Sequence, residues 1–361
     1  MKNYTVGFYL EKLYYSPHFD PVIREVIKRG ITYVVIIPRN LGRDVLDQRE
    51  ASIRYCEQEH FIYSLDENDC TCEVMVFGNI PRPLHTKFQQ SALIMHGAWG
   101  GKTVNTAASL NQVDIRFLDG NFMKECLTKI FPEKESIYYV SGYSKLDSYF
   151  RFSDEDRIRF LERCGLDVNK KTILYAPTFY PSSVLRMSKR FPEDLSDYNI
   201  ILKPHSHVFL RKRYRKDLHF LESWEKYPNV YLAKFDETNI LPFLHVADVM
   251  ISDMSSAAFE FAGVGKPVVI NQFLRYRFWH RLFPRQVNKR LDRNHFHLWQ
   301  VGDTPKSYPE MLCFVKANLL HPDRHKEQRE RLVRYVLGDV DGKVSERIVD
   351  KILELTAVSL N

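Results

Sequence analysis

Long uninterrupted apolar runs are missing from this 361-residue chain. No stretch approaches the ~20 apolar residues that a membrane-spanning helix needs. The opening residues, MKNYTVGFYLEKLYY, lack the apolar core of a secretory leader as well. A cytoplasmic protein is therefore expected, with peripheral attachment to the inner face of a membrane left open. Cysteine is sparse, with six scattered as Cys56, Cys70, Cys72, Cys126, Cys164 and Cys313. That scatter argues against a disulfide framework. The Cys70–Cys72 spacing is not that of a zinc ribbon, and no metal is expected. Low-complexity tracts and short-period repeats are absent too. Charge is moderate: 52 Lys and Arg stand against 45 Asp and Glu, a formal net of +7. Such a balance suits phosphorylated substrates, nucleotides or an anionic surface without pointing to nucleic acid.

What is present is a 44% hydrophobic composition, enough for real cores, in a chain whose length suits two domains. YTVGFYL, ITYVVIIP, CEVMVFGN, SALIMHG and SIYYVSG read as strands, with helices at PVIREVIKRG and NFMKECLTKIF. Continuous β-branched runs such as ITYVVIIP indicate strands buried on both faces, as in a parallel sheet. After a break near 142–170 the pattern restarts with KKTILYAPT, YNIILKPHSH, NVYLAKF, DVMISD and KPVVINQ as strands. NILPFLHVA and SSAAFEFAG read as helices, and the tail from about Tyr308 is mostly helical. Alternation of this kind gives βαβ units. The expected architecture is α/β of the GT-B type: two Rossmann-like domains with parallel sheets facing a central cleft. The expected boundaries are 1–150, 151–340, and a C-terminal helix in 341–361 packing back on the first domain.

Ligands of such sheets bind beyond the carboxyl ends of the strands, and several polar residues follow predicted strands. Ser255 and Ser256 stand where DVMISD meets a helix; they read either as a simple cap or as hydroxyls that join the helix N-terminus in gripping a phosphate. His96 follows SALIM and precedes Gly97, Gly100, Gly101 and Lys102. It reads as a turn-bonding imidazole or as a general base. Thr178 follows ILYAP. LKPHSH offers Lys203, His205 and His207, which fit a pyrophosphate, a metal, or an ordinary loop. GYSKLD, residues 142–147, reads most simply as a linker turn. HVFLRKRYRKDLHF and FLRYRFWHRLFPRQVNKRL are basic with interleaved aromatics. They fit nucleic acid, anionic lipid, an acidic polymer, or a solvated face with snorkelling arginines.

Taken in order, HGAWGGK, GYSKLD, YAPTFY, LKPHSH and ADVMISDMSSAAFEFAGVGKPVV resemble the motifs of the CDP-glycerol glycerophosphotransferase family, over about residues 90–290. The resemblance implies a GT-B fold, an acceptor domain followed by a CDP-alcohol donor domain, and no cofactor. It implies His96 as general base and His205 as a second catalytic histidine on the donor phosphate. Ser255, Ser256, Thr178, Lys203 and Asp253 are implied at the donor nucleotide and phosphate, with Gly97 and Lys102 supporting the acceptor loop. The implied reaction moves a polyol phosphate, glycerol phosphate first, from a CDP-polyol to a hydroxyl of a glycan, glycolipid or polyol-phosphate polymer, releasing CMP. From its basic residues, the stretch Arg275 to Arg290 is expected to meet an anionic membrane surface or the acceptor; nucleic acid is not an expected partner. This sequence departs from the family pattern at Ala98, at the Gly100–Gly101 insertion, at Ser144 and at Met254. Rival readings are a GT-B glycosyltransferase using a nucleotide sugar, a nucleotide-sugar 2-epimerase, and a non-catalytic binding module.

Overall fold

The computed structural model describes residues 2–38, 49–79, 87–97, 106–133, 136–277 and 293–358. Lys102 and residues 278–291 of the second basic stretch lie outside them. Two compact units emerge: the described residues of Met1–Gly97, Val104–Ser148 and Tyr335–Asn361 form the first, and Tyr149–Arg334 the second.

The β-branched and aromatic runs of the first unit become seven parallel strands in the order β3-β2-β1-β4-β5-β6-β7. They are β1 (Lys2–Tyr9), β2 (Tyr33–Ile36), β3 (Tyr63–Ser64), β4 (Cys70–Phe77), β5 (Lys87–Ile94), β6 (Ile115–Leu118) and β7 (Ile137–Val140). Helices α1 (Ser16–Lys28), α2 (Arg49–Gln58) and α3 (Asn121–Ile130) accompany them. The first helix starts five residues before the expected PVIREVIKRG segment, because Pro17 sits in its first turn, where a missing N–H costs nothing. Val6, Phe8, Val35, Val74, Val76 and Ile115 are almost fully buried in one cluster, and full burial of such side chains is worth ~1.5–3 kcal/mol each.

The second unit holds five parallel strands in the order β10-β9-β8-β11-β12. These are β8 (Thr172–Ala176), β9 (Asn199–Leu202), β10 (Val230–Leu232), β11 (Val249–Ser252) and β12 (Val268–Ile270). Its helices include α4 (Asp154–Arg163), α5 (Phe191–Asp194), α6 (Ser206–Leu210), α7 (Arg215–Glu222), α8 (Leu241–Val246) and α9 (Ser256–Gly263). Two longer helices, Tyr308–Leu320 and Lys326–Leu337, follow. Met311, Val315 and Leu319 of the former bury against Ile251 and Val269 of the sheet.

The last helix, Val344–Val358, returns to the first unit. Val344, Ile348, Val349 and Ile352 join the same core as Val6 and Phe8. Its amino end is held by the turn at 142–147, which is more than a linker. Asp147 is buried and accepts hydrogen bonds from the N–H groups of Val344 (3.2 Å) and Ser345 (2.6 Å) and from the Ser345 hydroxyl. Gly142 makes the approach feasible: its φ is +104°, and a Cβ there would lie 2.8 Å from Val344 Cγ2.

Candidate active site

In each sheet the strand order reverses once, and that reversal opens a crevice at the carboxyl ends. In the second unit the reversal falls between β8 and β11. Thr178 follows β8, and Asp253, Ser255 and Ser256 follow β11. Ser255 is the N-cap of α9, its hydroxyl accepting from Ala257 N–H at 3.3 Å with an extended backbone. Ser256 opens the helix, and its hydroxyl makes no hydrogen bond with the described residues. The two serines thus divide their labour: one ends the strand and caps the helix, taking the Ala257 N–H, and the other stands at the positive end of the helix dipole. Ala258, Phe259, Phe261 and Ala262 bury the far side of α9 and fix its direction.

Asp253, expected at the donor nucleotide and phosphate, bonds within the protein. It is fully buried, and its two carboxylate oxygens accept from Thr178 N–H (3.0 Å) and Ser183 N–H (3.2 Å). With these backbone donors in the loop after β8, Asp253 ties that loop to the one after β11. Burial pushes its carboxyl up to about 7, against the lowering effect of those hydrogen bonds. A buried chain continues the tie: Ser183 Oγ lies 2.8 Å from Tyr175 Oη and accepts from Asn271 Nδ2 at 3.0 Å.

At the end of β9, Lys203 places its ammonium 5.5 Å from the Phe243 ring centre. His205 caps α6, its Nδ1 accepting from His207 N–H at 3.1 Å. A lone pair on Nδ1 puts the proton of the neutral ring on Nε2. The rings of His205 and His207 each lie 4.8 Å from Phe179. Lys266, the lysine of the GKP segment, is a residue whose place sequence reasoning did not anticipate. Its ammonium donates to the carbonyls of Leu244, His245 and Ala247 at 2.7–2.9 Å, closing the C-terminus of α8, and burial lowers its pKa to about 8.

In the first unit the reversal falls between β1 and β4. Tyr14 and Tyr15 come shortly after β1, Gly78 directly after β4, and His96 shortly after the adjacent β5. His96 Nδ1 lies 3.1 Å from the Gly78 carbonyl. A carbonyl only accepts, so Nδ1 carries the proton and Nε2 is the basic nitrogen. Tyr14 and Tyr15 flank the imidazole at 4.8 and 4.9 Å between ring centres. Gly78 has to be glycine here, since a Cβ would stand 2.5 Å from the Tyr15 ring. Gly97 turns the chain at φ +79° and donates its N–H to His18 Nε2 at 3.1 Å. His18 gave no signal in the sequence; it sits in the first turn of α1, far from the motifs.

Among the described residues no three His, Cys, Asp or Glu side chains gather in a metal-binding arrangement. A surface cavity of about 530 Å³ beside Asp167, Lys170 and Asn199 opens at the amino ends of β8 and β9, away from these groups. On the second unit Arg211, Lys212, Arg213, Arg215 and Lys216 are all exposed, and none forms an ion pair among the described residues. Leu210 and Phe235 are exposed beside them, with Phe235 6.1 Å from the half-buried Phe209 ring.

A profile of the family described as CDP-glycerol:poly(glycerophosphate) glycerophosphotransferase matches residues 100–354, beginning just past His96. A teichoic acid poly(ribitol-phosphate) polymerase of Bacillus spizizenii is 29% identical over 277 residues, 71% of this chain and 40% of that protein. A teichoic acid poly(glycerol phosphate) polymerase of the same organism is 26% identical over 225 residues, 53% of this chain and 52% of that protein. The chain thus spans about half, or less, of the length of these curated relatives. A solved structure of the wall teichoic acid polymerase TagF aligns with a TM-score of 0.66 at 17% identity, covering 99% of this chain and 90% of that one. A UDP-GlcNAc 2-epimerase from Neisseria meningitidis aligns with a TM-score of 0.60 at 14% identity, covering 98% of this chain and all of that one. At such identities the likeness is one of fold, and the fold is the GT-B class of paired Rossmann-like units. With the profile running through the strand ends of β8, β9 and β11 and on into the last helix, the chain belongs to the CDP-glycerol:poly(glycerophosphate) glycerophosphotransferase family.

Proposed function

We propose that this chain transfers a polyol phosphate, glycerol phosphate first among candidates, from a CDP-polyol to a hydroxyl of a glycan, glycolipid or polyol-phosphate polymer. The first unit is the acceptor side and the second the donor side. The acceptor hydroxyl gives its proton to His96 Nε2 as its oxygen bonds to the β-phosphorus. The bond from that phosphorus to the bridging oxygen breaks, and CMP leaves with the electron pair. Ser256, the positive end of the α9 dipole, Lys203 and the Nε2–H of His205 stabilise the charge that gathers on the phosphates. Thr178 stands beside them, held by Asp253. Gly97 and Lys102 support the acceptor loop. The inner face of an anionic membrane is the surface on which a lipid-borne acceptor would be met.

The observation that carries this reading is the turn between β11 and α9, where Ser255 serves as cap and leaves Ser256 and the helix N-terminus to a phosphate, in a chain of this family. The structural likeness to a sugar-nucleotide epimerase keeps one rival in view, and the leaving group separates them. Thermal unfolding against CMP, CDP-glycerol, CDP-ribitol, UDP and UDP-N-acetylglucosamine is the test. A ligand at ~100 times its dissociation constant adds ~2.7 kcal/mol. The expected result is a cytidine-selective shift, largest with a CDP-polyol, and CMP release from that donor. His96→Ala should cut release by roughly 100- to 10,000-fold, the range of a positioned base, and keep the nucleotide-induced shift. A shift selective for uridine nucleotides would sink the reading.

A further inference from the structure

We propose that His18 is a positioning residue for His96, acting through the backbone amide of Gly97. The inference rests on the reading of His96 as the base. His18 enters from α1, 79 residues away from Gly97 in sequence, and its Nε2 accepts the Gly97 N–H at 3.1 Å. The imidazole is 3% exposed. Its own surroundings hold it in turn: the ring meets Tyr143 edge-on at 5.0 Å, and Ser144 Oγ donates to the His18 carbonyl at 3.0 Å.

The accepting nitrogen must stay unprotonated for this contact to survive. Burial does this, aided by the positive field of Lys145 and by His96, and keeps the imidazole pKa well below its ordinary value. The start of a helix is also a poor place for an imidazolium. His18 is therefore a neutral ring with its proton on Nδ1, offering a permanent lone pair to Gly97.

What the contact secures is the angle of His96. On one side the ring is fixed by the Gly78 carbonyl, while Tyr14 meets it edge-on and Tyr15 lies tilted against it. The backbone just beyond it turns at Gly97 in a left-handed conformation that glycine adopts without strain. Among the described residues, His18 is the side chain that braces this turn from α1, and the turn carries His96. The 142–147 turn joins this chain of contacts: Tyr143 and Ser144 hold His18, which holds Gly97.

The experiment compares His18→Leu, which fills similar space without an acceptor, with His18→Gln, whose side-chain oxygen reaches the place of Nε2. Hydrogen exchange of the peptide containing Gly97 and steady-state CMP release are measured on the full chain. His18→Leu should lose Gly97 protection and lower kcat about 10- to 100-fold, as supporting contacts do, with donor KM within about twofold. His18→Gln should keep protection and retain kcat within about threefold. Wild-type protection and kcat in His18→Leu would overturn the proposal, as would equal losses in both variants. If His18→Leu does not fold, His18→Asn takes its place, because the shorter amide withdraws the acceptor. A wild-type chain that releases no CMP overturns the reading of His96, and the exchange measurement still decides whether His18 holds Gly97.

Discussion

A single buried carboxylate links the two loops at the candidate donor site. Asp253 has its pKa raised by burial to about 7, from about 3.8 in the unfolded chain. Between those values the folded protein keeps a proton that the unfolded chain has released. Stability therefore falls as pH rises through that window, by about 1.4 kcal/mol per unit of pKa difference at most. Asp253→Asn has no proton to exchange and removes the slope. Urea midpoints at pH 5, 6, 7 and 8 check this. The variant should gain on the wild type as pH rises, and a constant difference between the two would dismiss the titration. A basic side chain in the same unit has the opposite sense: Lys266 is lowered to about 8 and costs stability only as pH drops below its unfolded value.

Elements of this fold were legible in unequal measure. Strands built from continuous β-branched runs, such as ITYVVIIP and DVMISD, are plain in the sequence because burial on both faces leaves no other composition. The two-residue β3 and the four-residue β6 are not, since neither length nor periodicity marks them. Strand-end residues were legible as positions: His96, Thr178, His205 and Ser255 each follow a strand as read. Their partners were not, because pairing is non-local. His18 meets Gly97 across 79 residues and Asp147 meets Ser345 across 198. The backbone partners of Asp253 were hidden too, because sequence shows which residue ends a strand but not which way its side chain turns. The Asp147 contact carries a prediction of its own. Asp147→Ala leaves the first N–H groups of the last helix buried without an acceptor, at ~1.5–3 kcal/mol for each hydrogen bond to a charged group. Burial of the carboxylate offsets part of that, as its raised pKa indicates. A net loss near 3 kcal/mol is expected. Exchange protection over residues 344–358 should fall before that of the sheet; unchanged protection there would refute the capping role.

At the scale of the whole molecule, no helix among the described residues is long and apolar enough to cross a membrane. The proposed meeting with a bilayer draws on a surface of the second unit. Five exposed cations between Arg211 and Lys216 lie next to exposed Leu210 and Phe235. Exposed Asp236 is the opposing charge nearest in sequence to Phe235. Juxtaposed cations contribute ~1 kcal/mol each at an anionic surface, screened by salt. The apolar pair favours lipid over a polyphosphate, which has no apolar interior to receive it. Co-sedimentation with vesicles containing phosphatidylglycerol should exceed that with phosphatidylcholine alone and weaken with salt. Leu210→Ser with Phe235→Ser should reduce binding several-fold while leaving the nucleotide-induced shift in place. Equal binding to both vesicles would remove this surface from the proposal.

The division of the chain at 148/149 and 334/335 makes the second unit an insertion within the first. In synthesis this inverts the usual order of folding. Strands β1 to β7 are made first, yet their core lacks Val344, Ile348 and Ile352 until the final helix of 15 residues emerges. The second unit has all of its strands and the packing helix Tyr308–Leu320 well before then. The unit whose strands are made first thus completes its core after the strands of the second unit have emerged.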